Sequence, residues 1–297
     1  MSPTRRDALR TGLVAAAGLT LPSLAMAGDG SAATPLPQDE GPRKSAPPYK
    51  QSVARWCFGS MPIDALCREA KRIGLEGIDL LSANEWSVPA QHGLVCTVAN
   101  GPGPIADGWN RPDLHDRLVA ESERLIPLVA AAGIPQMIVF SGNRRGMSDG
   151  EGIANCVTGL KRIVPLAERH GVTLVMEMLN SKVDHRDYHA DRTAWAAEVA
   201  RGLETPRFQL LYDVYHMQIM EGDVIRTIRQ YAPLIGHYHT AGNPGRNELD
   251  AAQELNYAAI AQAIAATGFT GFVAHEFMPK RAPGLEGLAE AQRIFAG

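Results

Sequence analysis

Cysteine is scarce in this chain: four in 297 residues, at positions 57, 67, 96 and 156, and no two of them form a C-x-x-C pair. Three of the four fall in apolar or helical contexts that suit a small buried thiol, so no structural disulfide is expected. Concentrated basic sequence is missing as well. The formal net charge is −3 with no Lys/Arg stripe, which argues against nucleic acid as a partner, because neutralising phosphates needs clustered cations. The first predicted strand is not followed by a Gly-rich turn of the G-x-G-x-x-G type, so no dinucleotide site is signalled. The one long apolar stretch, residues 11–24, carries Gly18 and Pro22 and is short for a bilayer span of about 20 strongly apolar residues.

That stretch has a different reading. It follows a basic start containing Arg5 and Arg6 and ends at the small-residue site Ala25-Met26-Ala27, the layout of a secretory signal cleaved after Ala27. The Arg5-Arg6 pair resembles the twin-arginine export signal, a route that carries folded proteins. The expected location is therefore periplasmic or otherwise exported, with no membrane span left after cleavage. Residues 28–50, rich in Gly, Ser, Pro and charge, should form a flexible linker. Residues 51–297 then form one domain, close to the length of about 250 residues usual for a closed α/β barrel.

Within that domain a short β-rich run alternates with a longer amphipathic stretch. Strands are expected at 53–57, 77–81, 94–98, 136–140, 172–177, 208–213, 235–239 and 271–276, and helices at 63–73, 112–132, 152–170, 192–202, 223–231, 257–267 and 285–295. Gly74, Gly133, Gly171 and Gly268 stand where helices should stop, since glycine accepts the left-handed conformation that satisfies a helix's last carbonyls. Eight βα units predict a (β/α)8 TIM barrel, with an open doubly wound sheet as the alternative.

Four side chains occupy the same relative place in this pattern. Glu177, Asp213, His239 and Glu276 each end an apolar strand, and a buried charge there needs a partner, water or a metal. In a barrel all strand C-termini open on one face, so the four would converge around one divalent cation. Oxygen and imidazole ligands suit Mn²⁺ or Mg²⁺, with Co²⁺ or Zn²⁺ as further options, and the lack of a thiolate argues against a structural zinc knot. Glu177 and Glu276, on the fifth and eighth strands, would face a bound substrate from two sides, which suits a two-base proton transfer. Strand alternation puts His237 on the side of His239, where it either binds substrate or stands behind the ligands, and His275 on the other. Asn180 either binds substrate or closes a turn. Asp79, Glu85, Trp86, Trp109, Asn143 and Arg144 fall on or near the same face; Trp86 and Trp109 suit either a carbohydrate wall or an oligomer contact, and Arg144-Arg145 either an anion site or plain solvation.

The segments Glu177-Met-Leu-Asn180, Asp213-Val-Tyr-His216, His237-Tyr-His239, Gly242-Asn-Pro-Gly-Arg246 and His275-Glu276 resemble, in order and spacing, the xylose-isomerase-like sugar isomerases and epimerases, most closely the hydroxypyruvate isomerase branch. The likeness is good from about 172 to 279 and mainly architectural before that. It implies that Glu177, Asp213, His239 and Glu276 are metal ligands, that Glu177 and Glu276 double as acid and base, and that His216 and Arg246 contact substrate oxygens. Two positions depart from the hydroxypyruvate isomerase pattern: Met178 stands where proline is usual and His239 where glutamine is usual. The resemblance implies a small carbohydrate or hydroxy-acid substrate and leaves room for a homo-oligomer. Rival readings are a dehydratase on the same barrel, a nuclease like endonuclease IV, and a noncatalytic periplasmic ligand-binding barrel. The nuclease would need ligands from the first-half strands, whose ends Cys57, Leu81, Val98 and Phe140 supply none. If the signal reading holds, N-terminal sequencing of the protein recovered after export will begin at Gly28.

Overall fold

The computed structural model describes residues 46–281 and 283–297. The expected signal at 1–27 and most of the expected linker lie outside the described residues. From Lys50 onward the chain lays down nine strands, β1 (Lys50–Ala54), β2 (Gly77–Asp79), β3 (Val95–Cys96), β4 (Val98–Ala99), β5 (Gln136–Val139), β6 (Thr173–Glu177), β7 (Phe208–Asp213), β8 (Ile235–Thr240) and β9 (Phe272–His275). All pair in parallel, in the order β3-β2-β1-β9-β8-β7-β6-β5-β4. The two ends of that order, β3 and β4, are halves of a single strand position interrupted at Thr97. A parallel bridge between Leu81 and Ala99 carries β2 across to β4, so the ring has eight positions and is a TIM barrel.

Among the described residues ten α-helices follow the strands on the outside: α1 (Ile63–Ile73), α2 (Val88–Gln91), α3 (His115–Ala131), α4 (Asp149–Leu160), α5 (Val164–His170), α6 (Thr193–Leu203), α7 (Val214–Met220), α8 (Val224–Tyr231), α9 (Tyr257–Ala266) and α10 (Leu285–Ala296). The helix stops read from sequence, Gly74, Gly133, Gly171 and Gly268, have φ of 100°, 71°, 71° and 76° and return their N–H groups to the last turn. The helix expected over 152–170 is two helices. Pro165 in the first turn of α5 has no N–H with which to continue the helix from α4. The expected helix at 112–132 begins with a 3₁₀ turn at Pro112–Leu114. Helix α7 was not expected; it starts on Asp213, whose Oδ1 accepts hydrogen bonds from the N–H groups of Tyr215 and His216. That side chain therefore caps a helix with one oxygen and leaves the other free for the barrel mouth.

Two apolar cores result. The larger lies between strands and helices and includes Leu66, Ile78, Val139, Leu174, Leu210, Tyr238 and Phe295. Trp109 belongs to it and is fully buried, so it forms neither a carbohydrate wall nor a surface contact. The smaller, inside the barrel, contains Val98, Ile138, Val175 and Leu211. Val175 and Leu211 precede Glu177 and Asp213 by two residues, which puts them on the same strand face one layer below. All four cysteines are buried and free. Among the described residues no helix is long and apolar enough to cross a membrane.

The chain leaves β4 through Gly101, where an added Cβ would sit 1.7 Å from the Ile138 carbonyl oxygen of neighbouring β5. Backbone cannot yield there as a side-chain tip could, so Gly101→Ala should cost about 3 kcal/mol. Thermal unfolding should report a Tm lower by roughly 6–12 °C for a domain of this size.

Candidate functional site

The barrel brings Glu177, Asp213, His239 and Glu276 together at its C-terminal mouth. One ligand atom from each lies within 4.8 Å of the others, and none of the four residues is more than 4% exposed. His239 stands at the centre: its Nδ1 is 3.2 Å from Glu177 Oε1 and 3.1 Å from Glu276 Oε2. Its other nitrogen, Nε2, faces Asp79 Oδ2 at 3.3 Å. Arg246 reaches in from the loop after β8, with Nη2 2.6 Å from Glu276 Oε2 and 3.6 Å from Asp213 Oδ2. The guanidinium lies over two rings, Trp56 at 5.1 Å and Tyr215 at 5.6 Å, which orients its flat face by cation–π attraction. The Arg246 backbone is left-handed, φ 56°, a conformation that a non-glycine residue holds only when its surroundings enforce it.

Charge and burial are in tension here. Burial pushes the Asp213 carboxyl up to about 7, and the Glu276 charge adds to this against the pull of Arg246. Burial, with Glu276 beside it, also raises Glu177. Burial acts on Glu276 in the same direction, but His239 and Arg246 outweigh it and hold that carboxyl well below the usual range. His239 is the mirror case: burial disfavours its charge, and Glu276, Asp79 and Glu177 together lift it far above an ordinary imidazole.

Four buried polar atoms at this mouth have no hydrogen-bond partner among the described residues: Asp213 Oδ2, His216 Nε2, Arg246 Nε and Nε2 of His185, whose ring packs edge-on against His216 at 5.2 Å. The state of His216 follows from its neighbour. Asn180 Oδ1 accepts hydrogen bonds from the Val183 and Asp184 N–H groups at 3.0 and 2.8 Å, so its Nδ2 faces His216 Nδ1 at 2.6 Å and donates to it. The His216 proton is therefore on Nε2, 3.5 Å from Asp213 Oδ2. Burial, reinforced by Arg246, keeps this ring neutral. Asn180 thus both closes the turn and orients His216, with its amide bonded to protein on every side.

His237 points the same way as His239, as alternation requires, but one layer deeper, with Nε2 2.6 Å from Asp79 Oδ2. His275 points outward, bonded to Thr240 and Gln51 beneath the Phe295 ring. Trp56, which the sequence did not single out, donates its indole N–H to Glu276 Oε1 at 2.6 Å. The expected first strand ended at Cys57; β1 in fact stops at Ala54 and a 3₁₀ turn at Arg55–Phe58 swings Trp56 over the mouth. Arg144 and Arg145 pair with Asp149 and Asp107 and play no part here. A cavity of about 550 Å³ opens onto Glu177, Glu276 and Arg246, walled by Trp56, Leu80, Pro104, Ile105, Phe140 and Leu179.

The donor set, three carboxylates and an imidazole around a buried carboxylate oxygen without a hydrogen bond, fits a divalent cation. Similarity to known proteins agrees with the architecture. The chain spans 40% to 62% of the length of the animal relatives it matches. A hydroxypyruvate isomerase of Escherichia coli is 30% identical over 135 residues, 46% of this chain and 52% of that protein. A 2-oxo-tetronate isomerase of Pectobacterium atrosepticum is 24% identical over 235 residues, 75% of this chain and 89% of its own. A solved family 2 AP endonuclease from Brucella melitensis superposes with a TM-score of 0.73 over 81% of this chain and 97% of that one; at 22% identity this is a likeness of fold alone. Residues 67–296 match the family described as Xylose isomerase-like TIM barrel, and with its parallel eight-position ring the chain belongs to that family.

Proposed function

We propose that this barrel is a divalent-metal-dependent isomerase or epimerase of a small hydroxy-carbonyl compound, such as a sugar, a sugar acid or a hydroxypyruvate-like acid, acting after export by the twin-arginine route. One observation carries the reading. Glu177, Asp213, His239 and Glu276 converge where Asp213 Oδ2, His216 Nε2 and Arg246 Nε are buried without partners. Such atoms cost about 1–3 kcal/mol each unless a ligand meets them. The names of the E. coli and Pectobacterium relatives support the substrate class.

Glu177, Asp213, His239 and Glu276 would hold the cation, Mn²⁺ or Mg²⁺ before Co²⁺ or Zn²⁺. When bound, the cation supplies a Lewis acid that polarises the substrate carbonyl and offsets the charge that builds as the adjacent carbon loses its proton. Glu177 and Glu276 flank His239 from two sides, so one removes that proton and the other returns it. Return to the neighbouring carbon gives isomerisation; return on the opposite face gives epimerisation. His216, neutral and protonated on Nε2, donates a hydrogen bond to a substrate oxygen. Arg246, held flat by Trp56 and Tyr215, takes a carboxylate or another electron-rich oxygen. The apolar wall shields the carbon while it is deprotonated.

The Mn²⁺-loaded mature chain, incubated with hydroxypyruvate, 2-oxo acids and ketoses in deuterated water, should place deuterium on carbon next to the carbonyl of at least one compound. A chelator should abolish this and added Mn²⁺ restore it. Glu177→Gln and Glu276→Gln should each lower turnover by roughly 10²- to 10⁴-fold with the circular dichroism of the fold kept. Release of water from the substrate would assign a dehydratase instead, and cation binding with no exchange on any compound a ligand-binding barrel.

A further inference from the structure

We infer that Asp79 is a positioning residue for the candidate cation site: it fixes the His239 ring so that Nδ1, free of its proton, is the atom offered between Glu177 and Glu276. This rests on the reading of Glu177, Asp213, His239 and Glu276 as the cation-binding cluster. Asp79 ends β2, is fully buried, and has both oxygens occupied. Oδ1 accepts from Ser52 Oγ at 2.6 Å and from the Thr97 hydroxyl. Oδ2 accepts from His237 Nε2 at 2.6 Å and from His239 Nε2 at 3.3 Å.

An ionised carboxylate only accepts hydrogen bonds, so each imidazole nitrogen facing it must carry a hydrogen. For His239 that assigns the fixed proton to Nε2. Nδ1 is then left 3.2 Å from Glu177 and 3.1 Å from Glu276, and a nitrogen lone pair between two anionic oxygens calls for a positive charge. A proton or a cation can supply it, and the two compete for one atom of a ring that never has to turn. The carboxylate itself cannot swing away. Ser52 and Thr97 hold Oδ1 from β1 and from the gap between β3 and β4, while His237 packs edge-on against His239 with ring centres 5.2 Å apart and shares its oxygen. A hydrogen-bonded carboxylate behind an imidazole also raises the basicity of the far nitrogen and so strengthens it as a ligand.

Asp79→Asn keeps the size but places an amide N–H donor within reach of the ring. His239 Nε2 can then become the acceptor and Nδ1 the protonated atom, which blocks the cation. Titration calorimetry of Mn²⁺ into the mature chain should show affinity falling roughly 10- to 100-fold in Asp79→Asn. Ser52→Ala removes one of the two bonds to Oδ1 and leaves both Oδ2 bonds in place, so it should cost less affinity than Asp79→Asn. In the Zn²⁺-loaded wild type, long-range ¹H–¹⁵N spectra should find the His239 proton on Nε2. A wild type that binds no cation defeats the underlying reading of the cluster. Tight binding in the wild type with equal affinity in Asp79→Asn, or equal losses in Asp79→Asn and Ser52→Ala, overturns the role given to Asp79. So does a proton on Nδ1 in the loaded wild type, a result that does not depend on any variant folding.

Discussion

Everything at the barrel mouth answers to one constraint: three buried carboxyl groups, Glu177, Glu276 and Asp79, lie within 3.3 Å of a single imidazole, and a fourth, Asp213, offers an oxygen within 4.8 Å of it. Charge taken out of water without compensation is costly, and the attraction of a partner repays that cost only when the geometry is good. His239 and Arg246 bring positive charge to the group, and both are drawn hard toward it. Arg246 adopts a left-handed backbone and lies between two rings to reach Glu276. Even so, Asp213 keeps an oxygen with no hydrogen bond and its carboxyl is pushed up to about 7, chiefly by burial. A site with surplus negative charge is what a cation requires.

The barrel interior divides the work between two halves. Val98, Ile138, Val175 and Leu211 fill one side with hydrocarbon just below the carboxylates, which keeps water from reaching the charges from beneath. On the other side Ser52, Asp79, Thr97 and His237 form a polar chain that ends on His239. Low polarity on one side strengthens every electrostatic interaction at the mouth, and the fully bonded chain on the other holds the central ring still. The helices contribute at one point: Asp213 starts α7 with one oxygen and meets the site with the other, so the turn of backbone that ends β7 also aims the carboxylate.

Much of this was legible because β-strand chemistry has a short period. Glu177, Asp213, His239 and Glu276 could be picked out as charged ends of apolar runs, and His237 and His275 could be assigned to opposite faces, from alternation alone. Helix stops at Gly74 and Gly171 were equally local. Features that depend on interruption were harder to read. The broken third strand at Thr97, the early end of β1 that frees Trp56, and the gap at 161–163 before α5 each span one to four residues and perturb the periodic signal too little to be seen. Trp109 was ambiguous for another reason: an apolar ring in a loop does not reveal whether a helix will cover it.

By itself, then, the order of residues determined the repeated βα rhythm, the closed barrel it predicts and the names of the side chains at the strand ends, because these depend on neighbours a few positions apart. Only the tertiary structure decided which atoms face which. Residues 79, 177, 239 and 276 meet across the barrel through its closure and strand register. The assignment of one His239 nitrogen to Asp79 and the other to the two glutamates is a matter of ångströms between distant segments, and no sequence period carries it.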